Sequence, residues 1–273
     1  MKRIAIIFSA LLLLSSCNKP ADELKIISFN IRYNSYENID GENGWPNRKE
    51  AVVRMIREER PAAIGLQEAL IDQLLYLDSC LPEYRRIGVG RDDGKEGGEF
   101  MAIYYDTTRL ELVGQNTWWL SETPHEPSKG WDAACYRTAT LALLRDRKSG
   151  KEFVYLNTHL DHVGQVARSE GAKYIAYILD NDSSPVILGG DMNSTIDDTI
   201  FNAFYKVGLK SAREMTDSTS NAITYNGYGK EEGKVIDHFF VKDLKVVSFR
   251  TLNGYYGVPY ISDHYPIEML VTL

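Results

Sequence analysis

Six short apolar runs of this chain each lead into a side chain that a protein interior does not readily accept. In SFNIR, Asn30 interrupts an apolar strand, and in AIGLQEA, Glu68 closes one. NTHLD carries His159 directly behind a strand, and VILGGDMNS delivers Asp191 and Asn193 beyond a double glycine. VIDHFFV encloses Asp237 in an apolar run, and ISDHYPIEM sets Asp263 and His264 just ahead of the last strand. Burying a polar or ionised group costs free energy unless partners meet it. Taken singly, each reads as end chemistry: Asn30 as a strand-end cap, Glu68 as a helix start, Asp191 and Asn193 as turn formers. Six such placements in one chain are a stronger constraint. In α/β folds, functional groups collect at the C-terminal ends of strands.

The rest of the chain fits that frame. Apolar or alternating runs predict strands at 24–31, 62–67, 100–105, 138–144, 152–157, 185–188, 235–241 and 267–273. A helix is expected from Pro46, with Val52, Val53 and Ile56 as its stripe, ending before Pro61. A second is expected over Gln165–Leu179, with Ala172, Ile175, Ala176 and Leu179 on one face. A strand, a helix and a strand ending in an acid occur twice, with 38 residues from Asn30 to Glu68 and 34 from Asn157 to Asp191. One α/β domain built from two related halves facing a shared site is therefore expected. At 44% hydrophobic and 25% charged, the 273 residues exclude a disordered chain and a collagen-like fibre. A net charge of −7 does not advertise a nucleic-acid partner, although a local basic patch can hide in the total.

Carboxylates and amide oxygens are hard ligands that suit Mg²⁺, with Mn²⁺ or Ca²⁺ as alternatives, and not zinc. There is no HExxH and no HxH among the five histidines. Acids on a hard cation, two histidines and several amides suit hydrolysis of a phosphate ester. The cation draws charge from a phosphoryl oxygen, a histidine stabilises developing negative charge, and a carboxylate orients the attacking water. Asp237 and His264 form an acid–imidazole pair in this reading.

In that order, SFNIR, LQE, NTHLD, GGDMNS, IDHFFV and SDHYPIE resemble the endonuclease/exonuclease/phosphatase superfamily, across residues 24–273. LKIISFNIR and SDHYPIEM are similar to the two ends of deoxyribonuclease I-like members. The resemblance implies a four-layer α/β sandwich, with two packed mixed β-sheets flanked by helices and a site at one rim. It places Asn30, Glu68 and Asp263 on the metal side and His159 on the scissile phosphate. Asp191 and Asn193 position the water and the phosphate, and Asp237 pairs with His264. Arg137 in CYRTATLALL stands where nucleases of the family carry a phosphate-binding arginine; an edge-strand surface charge is the other reading. Two departures stand out. Leu70 occupies the position of an arginine that enters the DNA minor groove. Residues 116–134, with Trp118, Trp119 and Trp131, resemble an elaborated substrate loop, unless the tryptophans simply pack it onto the body. Asp161 and His162 extend the site or, for Asp161, serve a helix N-terminus.

Residues 1–16 have a cationic start and an apolar run too short to span a bilayer. Small residues ahead of Cys17 resemble the lipobox of bacterial lipoproteins. The expected organisation is a signal peptide over 1–16, a tether over 17–23 and one domain over 24–273. Loss of Lys2 and Arg3 moves the charge from −7 to −9. Cys80 and Cys135 are left either to pair or to stay free thiols. The sequence thus predicts an exported, membrane-anchored, metal-dependent phosphoric ester hydrolase, acting on a small or lipid-linked ester. A secreted nuclease and a non-catalytic carbohydrate-binding surface lipoprotein are the rival readings. The expected partners are the substrate and, through lipidated Cys17, a membrane; no protein partner is inferred and a monomer is expected.

Overall fold

The computed structural model describes residues 23–181, 183–219 and 222–273, so the expected signal peptide and Cys17 lie outside the described residues. Twelve strands form two sheets of six. They are β1 (Glu23–Asn30), β2 (Ala63–Ala69), β3 (Tyr84–Ile87), β4 (Phe100–Asp106), β5 (Leu110–Trp119) and β6 (Thr138–Asp146), then β7 (Glu152–His159), β8 (Val186–Asp191), β9 (Lys210–Ser211), β10 (Asp237–Lys242), β11 (Lys245–Thr251) and β12 (Ile267–Thr272). The sheet orders are β11-β12-β1-β2-β4-β3 and β5-β6-β7-β8-β10-β9. One order maps onto the other, as expected of two related halves. Each centre is a parallel pair, β1 with β2 and β7 with β8, and the neighbouring pairings are antiparallel. The parallel pairs are crossed over by α1 (Trp45–Glu59) and α3 (Gln165–Asp180). The second crossing in each half uses α2 (Ile71–Cys80) or the short α4 (Asn202–Lys206). Two mixed sheets flanked by helices make the four layers.

Strand parity assigns each side chain to a layer. In β1, Ile27 and Phe29 pack with Val52, Met55 and Ile56 of α1 and with Leu74 and Leu77 of α2. Ile26 instead joins Phe153, Tyr155, Ile187, Phe239 and Met269 between the sheets. Behind the second sheet, Leu156 and Leu188 pack on Ile175 and Leu179 of α3 and on Phe201 and Phe204. Each such fully buried apolar side chain contributes roughly 1.5–3 kcal/mol. Asn30 shares a face with Ile26, His159 with Phe153 and Tyr155, Asp191 with Ile187, and Asp237 with Phe239. The inter-sheet layer is apolar over most of its length and turns polar at one rim.

One glycine lets the sheets approach there. A Cβ at Gly65 would lie 2.5 Å from the Tyr155 hydroxyl of the other sheet, while at Gly189 the ring of its cross-strand partner Phe239 would lie 2.6 Å from a Cβ. The Tyr155 hydroxyl donates to the Ile27 carbonyl at 2.9 Å and accepts from the Gly65 N–H at 3.0 Å. The second sheet is thus tied by polar bonds to the backbone of the first.

Where expectation and structure differ, the reason is local. β3, β5, β9 and β11 were not foreseen, and β5 takes in Asn116–Trp119, which were expected to belong to a loop. All four are edge strands, short or with many half-exposed positions, so their hydrophobic period is faint. α1 starts with Pro46 in its first turn and stops before Pro61, with Arg60 in the left-handed region as its C-cap. Cys80 and Cys135 are free thiols. Among the described residues, no helix is long and apolar enough to cross a membrane.

Gly65→Ala should lower the free energy of unfolding by about 1–3 kcal/mol in urea titration, because no space exists for the methyl group. An unchanged midpoint would show that the layers separate freely there.

Candidate active site

The polar rim begins with a backbone irregularity. Leu66 pairs with Ala102 but Ala69 pairs with Phe100, so β2 carries one extra residue. At this bulge Glu68 takes φ 62°, in the left-handed region. Regular alternation would send Glu68 toward the helix layer; the bulge re-aims its carboxylate into the rim. The interrupted ladder is repaired by Asn157, whose Nδ2 donates to the Leu66 and Ala102 carbonyls at 2.9 Å.

Glu68 faces Asn30, Arg32 and Asp263. Asn30 Nδ2 donates to Glu68 Oε1 at 2.9 Å, and Glu68 Oε2 accepts from the Tyr33 N–H at 3.3 Å. The Arg32 guanidinium lies 3.9 Å from both Glu68 and Asp263 and is clamped by Asp40. Burial opposes ionisation of Glu68, but Asn30 and Arg32 outweigh it and hold its pKa low. Burial pushes the pKa of Asp263 up, and the charge of Glu68 adds to that shift. Two acids crowded at one cleft wall are a site that a hard cation would neutralise.

The second sheet supplies the other wall. Asp191 Oδ2 accepts from Asn30 Nδ2 at 3.0 Å and lies 3.4 Å from His159 Nε2 and 3.6 Å from His264 Nε2. Its other oxygen accepts from the Asn193 N–H at 2.9 Å. Asn193 holds φ 48° and donates from Nδ2 toward His159 Nε2 at 2.9 Å. That contact requires a neutral ring. Burial, followed by Arg137 and Arg91, keeps the pKa of His159 well below the usual imidazole value. His264 is the opposite case. Burial disfavours its charge, but Asp237 at 2.8 Å from Nδ1, together with Asp191, pushes its pKa up to about 10. Burial and the charge of Asp237 push Asp191 up to about 7. The rim therefore holds one neutral and one protonated imidazole on either side of a carboxylate.

These walls enclose a cleft of about 590 Å³. Glu68, His159, Asp191, Asn193, Asp263 and His264 line it, and Asn30 and Asp237 lie buried among them. Arg137 also lines the cleft. It is only 5% exposed, which removes the surface-charge reading. Asp161 accepts from Arg137 Nε at 3.2 Å, and Arg137 Nη2 contacts His162 Nδ1 at 2.9 Å. Arg137 Nη1 is buried with no hydrogen-bond partner among the described residues. Asp161 also accepts from the Val163, Gly164 and Ala134 N–H groups, so it organises the loop and fixes the arginine. Burial works against its ionisation, but those donors and Arg137 hold its pKa well below the usual carboxylate range.

Several lining residues had no sequence signal. Arg32, Arg91, Glu99, Tyr225 and Lys234 reach the cleft from loops and bends, where periodicity says nothing. Trp119 is buried, and its Nε1 donates to the Arg91 carbonyl at 2.6 Å, so it packs the neighbouring loop and is not free to stack on a ligand. The Leu70 N–H donates to Gln73 at the start of α2.

The endonuclease/exonuclease/phosphatase family model matches residues 27–264. The chain belongs to this family. A family structure from Bacteroides vulgatus superposes with a TM-score of 0.86 at 33% identity, covering 92% of this chain and 99% of that one. A mannosyl-6-phosphatase of Bacteroides thetaiotaomicron VPI-5482 gives 0.85 at 32% identity, covering 92% and 100%. The human Nocturnin catalytic domain shares the fold at 20% identity, with a TM-score of 0.69 and coverage of 92% and 93%. As a family member the chain is a hydrolase of the phosphoesterase type, and such enzymes generally use a divalent metal. Buried Asp191, Asp237 and His264 form a group close enough to hold an ion. Yet Asp237 is engaged with the His264 ring at 2.8 Å, whereas Glu68 and Asp263, which accept hydrogen bonds from Asn30, Tyr33 and Ser262, have among the described residues no ion-pair partner nearer than Arg32 at 3.9 Å. Their oxygen chemistry fits a hard cation better.

Asp161→Asn should lower stability by about 2–4 kcal/mol, because it leaves Arg137 buried without its counter-charge. The native carboxylate has a depressed pKa, so its stabilisation is present above the unfolded carboxylate value and fades on acidification. The gap between wild type and variant in urea titrations should therefore begin to narrow below about pH 4 and keep narrowing with further acid. A gap independent of pH would contradict the ion pair.

Proposed function

We propose that this family member is a divalent-cation-dependent phosphatase for a small or lipid-linked phosphate monoester. The observation that carries the reading is the buried, unpartnered Arg137 Nη1 in the same cleft as His159 and Asn193. A guanidinium N–H without a partner in a polar cleft suits a phosphate oxygen. Arg32 and Lys234 add positive charge to the same cleft despite the acidic total. The mannosyl-6-phosphatase relative at 32% identity supports a monoester over a diester. Leu70 and the net charge count against a nuclease.

In this account Glu68 and Asp263 hold the cation, with Mg²⁺ the first choice and Mn²⁺ or Ca²⁺ as substitutes. When bound, it supplies charge neutralisation at the phosphoryl group. Asn30 keeps the carboxylates of Glu68 and Asp191 in register. Arg137, Asn193 and neutral His159 orient the phosphate oxygens. Asp191 orients the attacking water and takes its proton. His264, kept protonated by Asp237, stabilises the negative charge that develops in the transition state. Export and attachment through lipid on Cys17 complete the proposal. A −9 domain is weakly repelled by an anionic bilayer, so the anchor and not the charge would hold it there.

Purified protein with Mg²⁺ or Mn²⁺ should release phosphate from small phosphomonoesters, and EDTA should abolish turnover. Full activity in chelator would overturn the cation's role. His264→Ala and Asp191→Asn should each lower kcat by at least ~100-fold while far-UV circular dichroism stays native. Near-normal rates in both would remove them from the reaction. In cell fractionation, wild type should sediment with membranes and Cys17→Ser should not. Wild type in the cytosol would refute the localisation.

A further inference from the structure

The loop between β3 and β4 brings Arg91 and Glu99 into the cleft, and neither cation binding nor transfer of the phosphoryl group uses them. The loop is built to hold them still. Arg91 N–H donates to the Glu99 carbonyl at 3.0 Å, and Asp92 N–H to the Gly97 carbonyl at 3.0 Å. Asp93 Oδ1 accepts from the Lys95 and Gly97 N–H groups at 2.7 and 2.9 Å. A Cβ at Gly90 would lie 2.2 Å from the Gly97 carbonyl oxygen, so the turn closes only on glycine. Trp119 fixes the loop to β5 through the Arg91 carbonyl.

On this frame Arg91 Nη1 donates to Glu99 Oε2 at 2.7 Å. Part of each group remains unused. Glu99 Oε1 accepts no hydrogen bond from the described residues, and buried Arg91 Nε donates none. The Asp92 carboxylate, 3.8 Å from Nε, is too far for a hydrogen bond. The contrast with Arg137 is informative. Its partner Asp161 spends its oxygens on loop N–H groups and does not line the cleft, so Arg137 presents a cation. Arg91 brings its carboxylate into the cleft with it. A carboxylate there repels a phosphate oxygen and cancels the guanidinium charge. An acceptor and a donor side by side with no net charge suit neutral hydroxyls: one donates to Glu99 while its neighbour accepts from Arg91.

Resting on the phosphatase reading, we propose that Arg91 and Glu99 form the leaving-group subsite, and that it recognises adjacent hydroxyls of a sugar or similar polyol whose phosphate lies at Arg137 and His159. Arg91, Glu99, Arg137 and His159 line one cleft, so the two subsites share it.

The test compares kcat/KM for mannose 6-phosphate and for phenyl phosphate, whose leaving group lacks vicinal hydroxyls. Full-length protein with Mg²⁺ is used as wild type, Glu99→Gln and Arg91→Lys. Wild type should favour the sugar phosphate. That preference should fall at least ~10-fold in Glu99→Gln, mainly through KM for the sugar phosphate, because the buried pair then lacks its proper hydroxyl acceptor. Arg91→Lys, which loses the planar fork, should shift the ratio in the same direction and serves if Glu99→Gln does not fold. An unchanged ratio in both variants would overturn the subsite, since a merely structural role lowers both substrates alike. Wild-type turnover of phenyl phosphate with no preference for the sugar phosphate would overturn the subsite and leave the phosphatase standing. Turnover of neither would overturn both.

Discussion

The Asn30 side chain is where the two sheets become one site. Its buried Nδ2 donates to Glu68 from its own sheet and to Asp191 from the other, at 2.9 and 3.0 Å. Its Oδ1 is held by the Arg32 N–H at 3.0 Å, which fixes the amide orientation. One neutral donor thus lies between two carboxylates that would otherwise meet across a dry interface, where like charges repel strongly. Both sheets must reach this point with the right parity and spacing. The small contact at Gly65, the hydroxyl of Tyr155 and the bulge at Glu68 serve that requirement.

Around this link the charge is sorted and not balanced pair by pair. Glu68 and Asp263 leave an acidic wall. Asp237 commits its carboxylate to His264 and keeps that ring protonated, while Arg137 and Arg91 keep His159 neutral. Two imidazoles a few ångströms from the same Asp191 oxygen are in this way given different jobs by their far-side neighbours. Such separation of protonation states is the general means by which one cleft supplies both a donor and an acceptor at neutral pH.

Much of this was legible in the sequence because strand parity carries through the sheet. Asn30, four residues after Ile26, must share its face, and Asp237 must share that of Phe239. Polar residues at that parity, at the ends of strands, can only collect at a rim of the inter-sheet layer. The placement of Glu68 was legible while its direction was not, because the bulge that turns it depends on the register with β4. Arg91 and Glu99 left no trace. They sit in the loop between β3 and β4, whose geometry is set by backbone hydrogen bonds and glycines, and no periodicity marks them. Arg137 could be read either as a surface charge or as a buried ligand, since only the distant Asp161 decides between them. The edge strands β5 and β11 were obscured by their half-solvated faces.

The proposed function requires groups from the two sheets to act as one catalytic unit joined through Asn30. A double-mutant cycle on kcat/KM for a small phosphomonoester, with Glu68→Gln, Asp191→Asn and the pair, tests it most directly. If the walls act together, the double variant should be no more than a few-fold slower than the worse single variant. If the two losses multiply, the walls work independently and the claim is contradicted.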